Sequence, residues 1–131
     1  KEICKMFNDN KNLLIKKKNI FYRPWGKYTN LFIGKNFLIK ELYINPKGIL
    51  SLQKHLHRSE HWLVTQGTPK ITLNKKIFMK NTNENIFIPK GVIHRIENPN
   101  KKPVKIIEAQ LGSILKETDI IRYQDIYGRV N

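Results

Sequence analysis

The chain has little cysteine, little acid and no long apolar run, and each scarcity removes a class of protein. Cys4 stands alone among 131 residues, so no internal disulfide can form and no cysteine-based zinc site can be built; a reducing cytoplasm is the expected compartment. No stretch approaches the roughly 18 uncharged apolar residues of a membrane-crossing helix, so no membrane partner is expected. The opening KEICKMFNDN is too polar to hold the apolar core of a signal peptide. Asp and Glu number 10 against 25 Lys and Arg, a net charge of +15 that would ordinarily suggest a polyanion partner. Arginine, however, supplies only 5 of the 25 cations, while Lys, Ile and Asn together make 53 residues. A nucleic-acid surface draws on arginine for bidentate contacts. The surplus therefore reads as compositional drift: no nucleic acid is expected, and a small phosphorylated molecule is the anion such a field would attract.

What is present is β punctuation. Ile3, Met6 and Phe7 share one helical stripe, and with Leu13, Leu14, Ile15 and the lysines that follow they predict a short helix and basic linker over 1–20. From Phe21 onward, short β-branched or aromatic runs alternate with turn residues, predicting strands over 37–44, 50–57, 61–66, 70–73, 77–80, 85–88, 92–97 and 104–111. Eight short strands in one domain over 21–131 imply an all-β double sheet, a sandwich or jelly-roll-like barrel. The tail after Lys116 is expected to pack back onto it.

All four histidines fall in two places. His55, His57 and His61 lie within seven residues, and His94 stands apart. On a strand, His55 and His57 would point to one face, close enough to share an ion. Glu60, just past a turn, could add an oxygen, and His94 would come from another strand. Imidazoles with one carboxylate suit Zn, Fe, Mn, Ni or Co. Alternation groups Glu60 with Trp62 and Val64 and turns His61 to the opposite face with Leu63 and Thr65, although His61 stays a rival ligand.

Glu60, then six residues and Gly67, with Pro89, Gly91, His94 and Asn98, resembles the two-part signature of the cupins. Two departures stand out: Asn83 occupies a place usually held by glycine, where it tolerates the same left-handed geometry, and only two residues separate His57 from Glu60. Four blocks extend the likeness: Arg23 to Tyr28, Leu50 to Trp62, Ile88 to Pro99 and Asp119 to Arg129. In that order they resemble the type II mannose-6-phosphate isomerase domain, commonly fused behind a mannose-1-phosphate guanylyltransferase domain. The resemblance implies a cupin double-stranded β-helix with an N-terminal helix or arm, one divalent metal (zinc foremost) on His55, His57, Glu60 and His94, and interconversion of mannose 6-phosphate with fructose 6-phosphate for GDP-mannose synthesis. It also implies a homodimer and a fused or separate guanylyltransferase. The phosphate loop of the transferase half is missing from this sequence, so no guanylyltransferase activity is expected of it.

An aldose–ketose isomerisation moves a proton between neighbouring carbons, which calls for a base and an electrophile. Candidate bases are Lys54 beside the histidine pair, Glu97, His61, or Glu60 if it is not a ligand. For the phosphate, the order of expectation is Arg58, Arg122, Arg129 and Arg95, because in a lysine-biased chain each arginine marks a need for its fork. Trp25 and Trp62 are expected in the core. The competing reading is a non-catalytic sugar-phosphate or nucleotide-sugar binding module.

Overall fold

The computed structural model describes residues 19–129; the predicted helix and linker lie outside the described residues, apart from their last two positions. Eleven strands follow one another: β1 (Ile20–Arg23), β2 (Gly26–Ile33), β3 (Phe37–Ile44), β4 (Leu52–Lys54), β5 (Arg58–Gln66), β6 (Lys70–Leu73), β7 (Lys76–Met79), β8 (Asn85–Ile88), β9 (His94–Glu97), β10 (Val104–Gly112) and β11 (Ile121–Gln124). There is no helix among the described residues, so none is long and apolar enough to cross a membrane.

Two antiparallel sheets form. One has six strands in the order β1-β2-β3-β10-β5-β8, and the other five in the order β11-β4-β9-β6-β7. The neighbouring strands β3, β10 and β5 of the six-stranded sheet are eight or nine residues long, and strict alternation buries one side of each. Their inner residues meet those of the shorter strands in a core of Trp25, Leu42, Ile44, Trp62, Ile71, Ile88, Ile96 and Ile106.

The sequence patterns for β3, β6 and β8 match the strands residue for residue. The predicted 50–57 strand contracts to three residues, whereas 61–66 grows backward to Arg58. The sequence reading omitted β1, β2 and β11; β1 and β11 are the outermost strands of the two sheets. Asn83 adopts a φ of 75°, fulfilling the left-handed role expected of it. Gly91, at the same φ, has open space where a side chain would sit, so backbone geometry alone asks for glycine there. Pro69, without an amide hydrogen, immediately precedes β6, in keeping with a strand start.

Candidate metal and substrate site

Between the sheets opens a cavity lined by side chains of both. Along β4 and its flanks, Ser51, Gln53 and His55 point inward; from β9 comes His94, from β5 Glu60 and Trp62, from β10 Glu108, and from β3 Lys40. His55, Glu60 and His94 are all buried, and one ligand atom from each lies within 4.8 Å of the others.

The imidazoles are oriented by carbonyls. His55 Nδ1–H donates to Asp119 O at 2.6 Å and His94 Nδ1–H to Val92 O at 2.9 Å. Both Nε2 lone pairs are thereby directed at Glu60, with His55 Nε2 3.3 Å from Oε2 and His94 Nε2 3.8 Å from Oε1. Burial, then the nearby Arg58 and His94 charges, lowers the His55 pKa to about 4, so this ring is neutral at physiological pH. Arg58 Nε donates to Glu60 Oε2 at 2.9 Å, and its Nη2 donates to His55 Nε2 at 3.2 Å. Burial opposes ionisation of Glu60, yet His94 and Arg58 hold its carboxyl below the usual range. Two neutral-capable nitrogens with carbonyl-anchored rings and one ionised carboxylate are a donor set fit for a divalent ion.

Beside this cluster stands a second carboxylate. Trp62 Nε1 donates to Glu60 Oε1 and to Glu108 Oε1, each at 3.1 Å, and Gln110 Nε2 donates to Glu108 Oε2 at 2.8 Å. Burial and the charge of Glu60 push the Glu108 pKa upward, because two carboxylates this close resist ionising together. At the mouth, Arg23, Arg122 and Arg129 line the cavity with Glu117. Arg129 is tied to Asp125 by a 2.7 Å bond from Nε.

The structure places several of the sequence-based site residues away from this cavity. His57 is exposed and outside the cluster. Strand β4 ends at Lys54, so alternation does not carry through to His57; there the chain bends, with the Leu56 and His57 amides bonded to the Asp119 carboxylate at 3.1 and 3.0 Å. The inward pair two residues apart is Gln53 and His55, and the short interval between His57 and Glu60 was the readable sign of that shift. None of the three side-chain base candidates Lys54, Glu97 and His61 lines the cavity. Lys54 faces the Tyr123 ring at 5.9 Å on the outer side of β4, Glu97 lies 3.9 Å from Lys70, and His61 lies tilted against the Phe87 ring, 4.7 Å between centroids, on the exposed face of β5. Arg95 is spent on the backbone, donating to Leu50 O and Gln124 O at 3.0 and 3.1 Å, since alternation from His94 turns it outward. Arg58, Arg122 and Arg129 do reach the cavity, and both tryptophans are buried in its wall.

Sequence reading missed Lys40, Gln53, Glu108 and Glu117. For Lys40 and Glu108 a signal existed. Each holds an inward position in a strand whose other inward residues are mostly apolar, Leu38, Leu42 and Ile44 in β3, Val104 and Ile106 in β10. A charge at such a place is costly unless it serves a site.

Comparison with known proteins agrees with this geometry. An RmlC-like cupin from Shewanella frigidimarina superposes with a TM-score of 0.66 over 76% of this chain and 86% of that one, at 15% identity. Xanthan biosynthesis protein XanB of Xanthomonas campestris pv. campestris is 45% identical over 108 residues, 82% of this chain and 23% of that protein. Mannose-1-phosphate guanylyltransferase ManC of Salmonella typhimurium is 45% identical over 109 residues, 83% of this chain and 23% of ManC. The chain thus spans about a quarter of the length of these curated relatives. The profile described as mannose-6-phosphate isomerase C-terminal matches residues 9–125, so the fold is a cupin and the chain belongs to the mannose-6-phosphate isomerase C-terminal family.

Proposed function

We propose that the chain interconverts mannose 6-phosphate and fructose 6-phosphate with a divalent metal held by His55, Glu60 and His94, as a cytoplasmic step toward GDP-mannose. The observation that carries this reading is the joining, in one cavity, of that ligand set with a second buried carboxylate and a ring of cations. When bound, the ion supplies Lewis-acid polarisation of the sugar oxygens. Gln53, two residues from His55 on the same inward face, would add an amide oxygen to the set. An ion there takes the lone pairs that Arg58 now bonds, which frees that guanidinium for the substrate.

The chain's own residues then divide the work. Glu108, held by Trp62 and Gln110, is the carboxylate that accepts the proton from C2 and returns it at C1; its raised pKa suits a base that must also give the proton back. Arg122 and Arg129, with Arg58, bind the phosphate. Trp25 and Trp62 exclude water from the reacting carbons. A second copy would cover the outer face of the six-stranded sheet, where Phe32, Leu63, Phe87 and Leu111 are exposed, and sedimentation velocity reads that dimer. A guanylyltransferase domain, fused in front or separate, is the expected companion.

Arg58 also supports a second reading, a sugar-phosphate binding module without turnover, since its guanidinium already satisfies the atoms a metal would use. A coupled assay of the purified chain, chelated and then restored with Zn, Co, Mn or Ni, separates the two. Turnover lost on chelation and regained with metal is expected. A folded protein that binds the sugar phosphate and turns over with none of these ions would overturn the isomerase reading.

A further inference from the structure

The mouth of the cavity contains a buried cation whose closest anion comes from the solvent side. The Lys40 side chain is only 4% exposed, and its Nζ lies 3.1 Å from Glu117 Oε1 and 3.9 Å from Glu108 Oε2. Glu117 is 49% exposed and sits on the segment between β10 and β11, while its other oxygen lies 3.9 Å from Arg58 Nη1. The Tyr28 hydroxyl accepts from Arg23 Nη2 at 3.2 Å and lies near enough to Glu117 for the carboxylate to raise the phenol's pKa. Arg122 is near enough to feel the charges of Glu117, Arg129 and Arg23, and its buried Nε has no hydrogen-bond partner.

Resting on the isomerase reading above, we propose that Glu117 is an internal stand-in for the substrate's phosphate, occupying the anion site where Lys40, Tyr28 and Arg23 adjoin the phosphate-binding Arg58 and Arg122, until a phosphate monoester dianion displaces it. Several features support the assignment. Lys40 already has a counter-charge of comparable burial in Glu108, 3.9 Å away, so Glu117, which is reachable from water and sits on a loop, is an additional anion rather than the structural one. Donors near it are left unused, since Arg122 Nε has no partner and Arg58 Nη1 stands 3.9 Å off; a dianion with three acceptor oxygens could take these besides Lys40. Displaced, Glu117 swings into solvent without leaving a buried charge behind. The device also gives selectivity, because a neutral sugar has nothing with which to evict the carboxylate.

The test uses inorganic phosphate titrated into the chelated, metal-free chain by calorimetry, so that it does not depend on turnover. Glu117→Gln keeps the shape and removes the competing charge; phosphate affinity is expected to rise about tenfold, with a larger phosphate-induced gain in Tm. Lys40→Met is expected to abolish phosphate binding, and Arg122→Gln, at a less buried position, to weaken it even if the Lys40 variant does not fold. Unchanged or weaker phosphate binding in Glu117→Gln would overturn the proposal. Tighter binding in that variant, with no isomerase activity under any metal, would sustain the anion site while removing the enzyme reading.

Discussion

The two sheets of this barrel contribute different chemistry. The six-stranded sheet presents Lys40, Glu60 and Glu108 from strands of eight or nine residues in long register. The five-stranded sheet presents His94 and Arg122 from strands of four residues, with His55 just past the end of three-residue β4, and β4 meets β9 through a single pair, Gln53 with His94. Carboxylates and the buried ammonium, which are costly to bury, are thus fixed on the more extensive framework. The imidazoles, cheap to bury when neutral, ride on the looser one and are steadied by carbonyls of neighbouring segments. Strength of scaffold follows electrostatic cost.

The sharpest way to break that division is on the rigid side. Glu60→Ala removes a proposed ligand and leaves Arg58, only 5% exposed, without its closest anion. We expect loss of bound metal, loss of turnover and destabilisation of about 3–5 kcal/mol, measured by metal analysis and urea unfolding. On the looser sheet, His94→Ala is expected to lose metal and activity while the far-ultraviolet circular dichroism of the barrel persists; stoichiometric metal in the variant would remove His94 from the set. Asp119→Ala acts one step further out. It deletes both carboxylate bonds to the Leu56 and His57 amides, so the loop carrying His55 loosens. Metal affinity is expected to fall about 10–100-fold, read by chelator competition, with the ligands themselves intact.

A pH experiment sharpens the comparison at the mouth. Burial would raise the Glu117 pKa, but Lys40 and Tyr28 bring it below the ordinary carboxylate value of 4.5. A carboxyl with a depressed folded-state pKa contributes stability that is present above its unfolded value and is lost as pH falls through the folded value. The Tm advantage of the unliganded wild type over Glu117→Gln is therefore expected at neutral pH, should begin to shrink as pH falls through 4.5, and should vanish only below the depressed folded-state value. The smallest effects belong to the outer surface: Lys54→Ala, His57→Ala and His61→Ala should each stay within about 0.5 kcal/mol of wild-type stability and keep turnover, a result that checks their removal from the site.

The fold was legible wherever alternation was regular. Residues 37–44 and 85–88 carry their burial pattern in the order of their side chains, and alternation along β5 correctly turns Glu60 inward and His61 outward. The set of side chains gathered in the cavity was legible in part, since Glu60, His94, His55 and three of the four ranked arginines line it. Sequence periodicity does not carry to His57 because it assumes a strand continues, and the bend after Lys54 is capped by Asp119, 62 residues beyond His57. Glu117 was illegible for a similar reason: nothing adjacent to it in sequence announces that Lys40, 77 residues earlier, is its partner. Contacts made across the fold leave no local trace.

The bond from His55 to the Asp119 carbonyl has a consequence for the order in which the molecule ripens. A chain emerges from the ribosome with its N-terminal part first, so every strand of the six-stranded sheet is out before Asp119 appears. Until then one imidazole has no strut, and the bend after β4 has no cap. A nascent chain can pair its six-stranded sheet and still lack the strut for His55, so on the proposed metal reading ion capture would be a late event in synthesis.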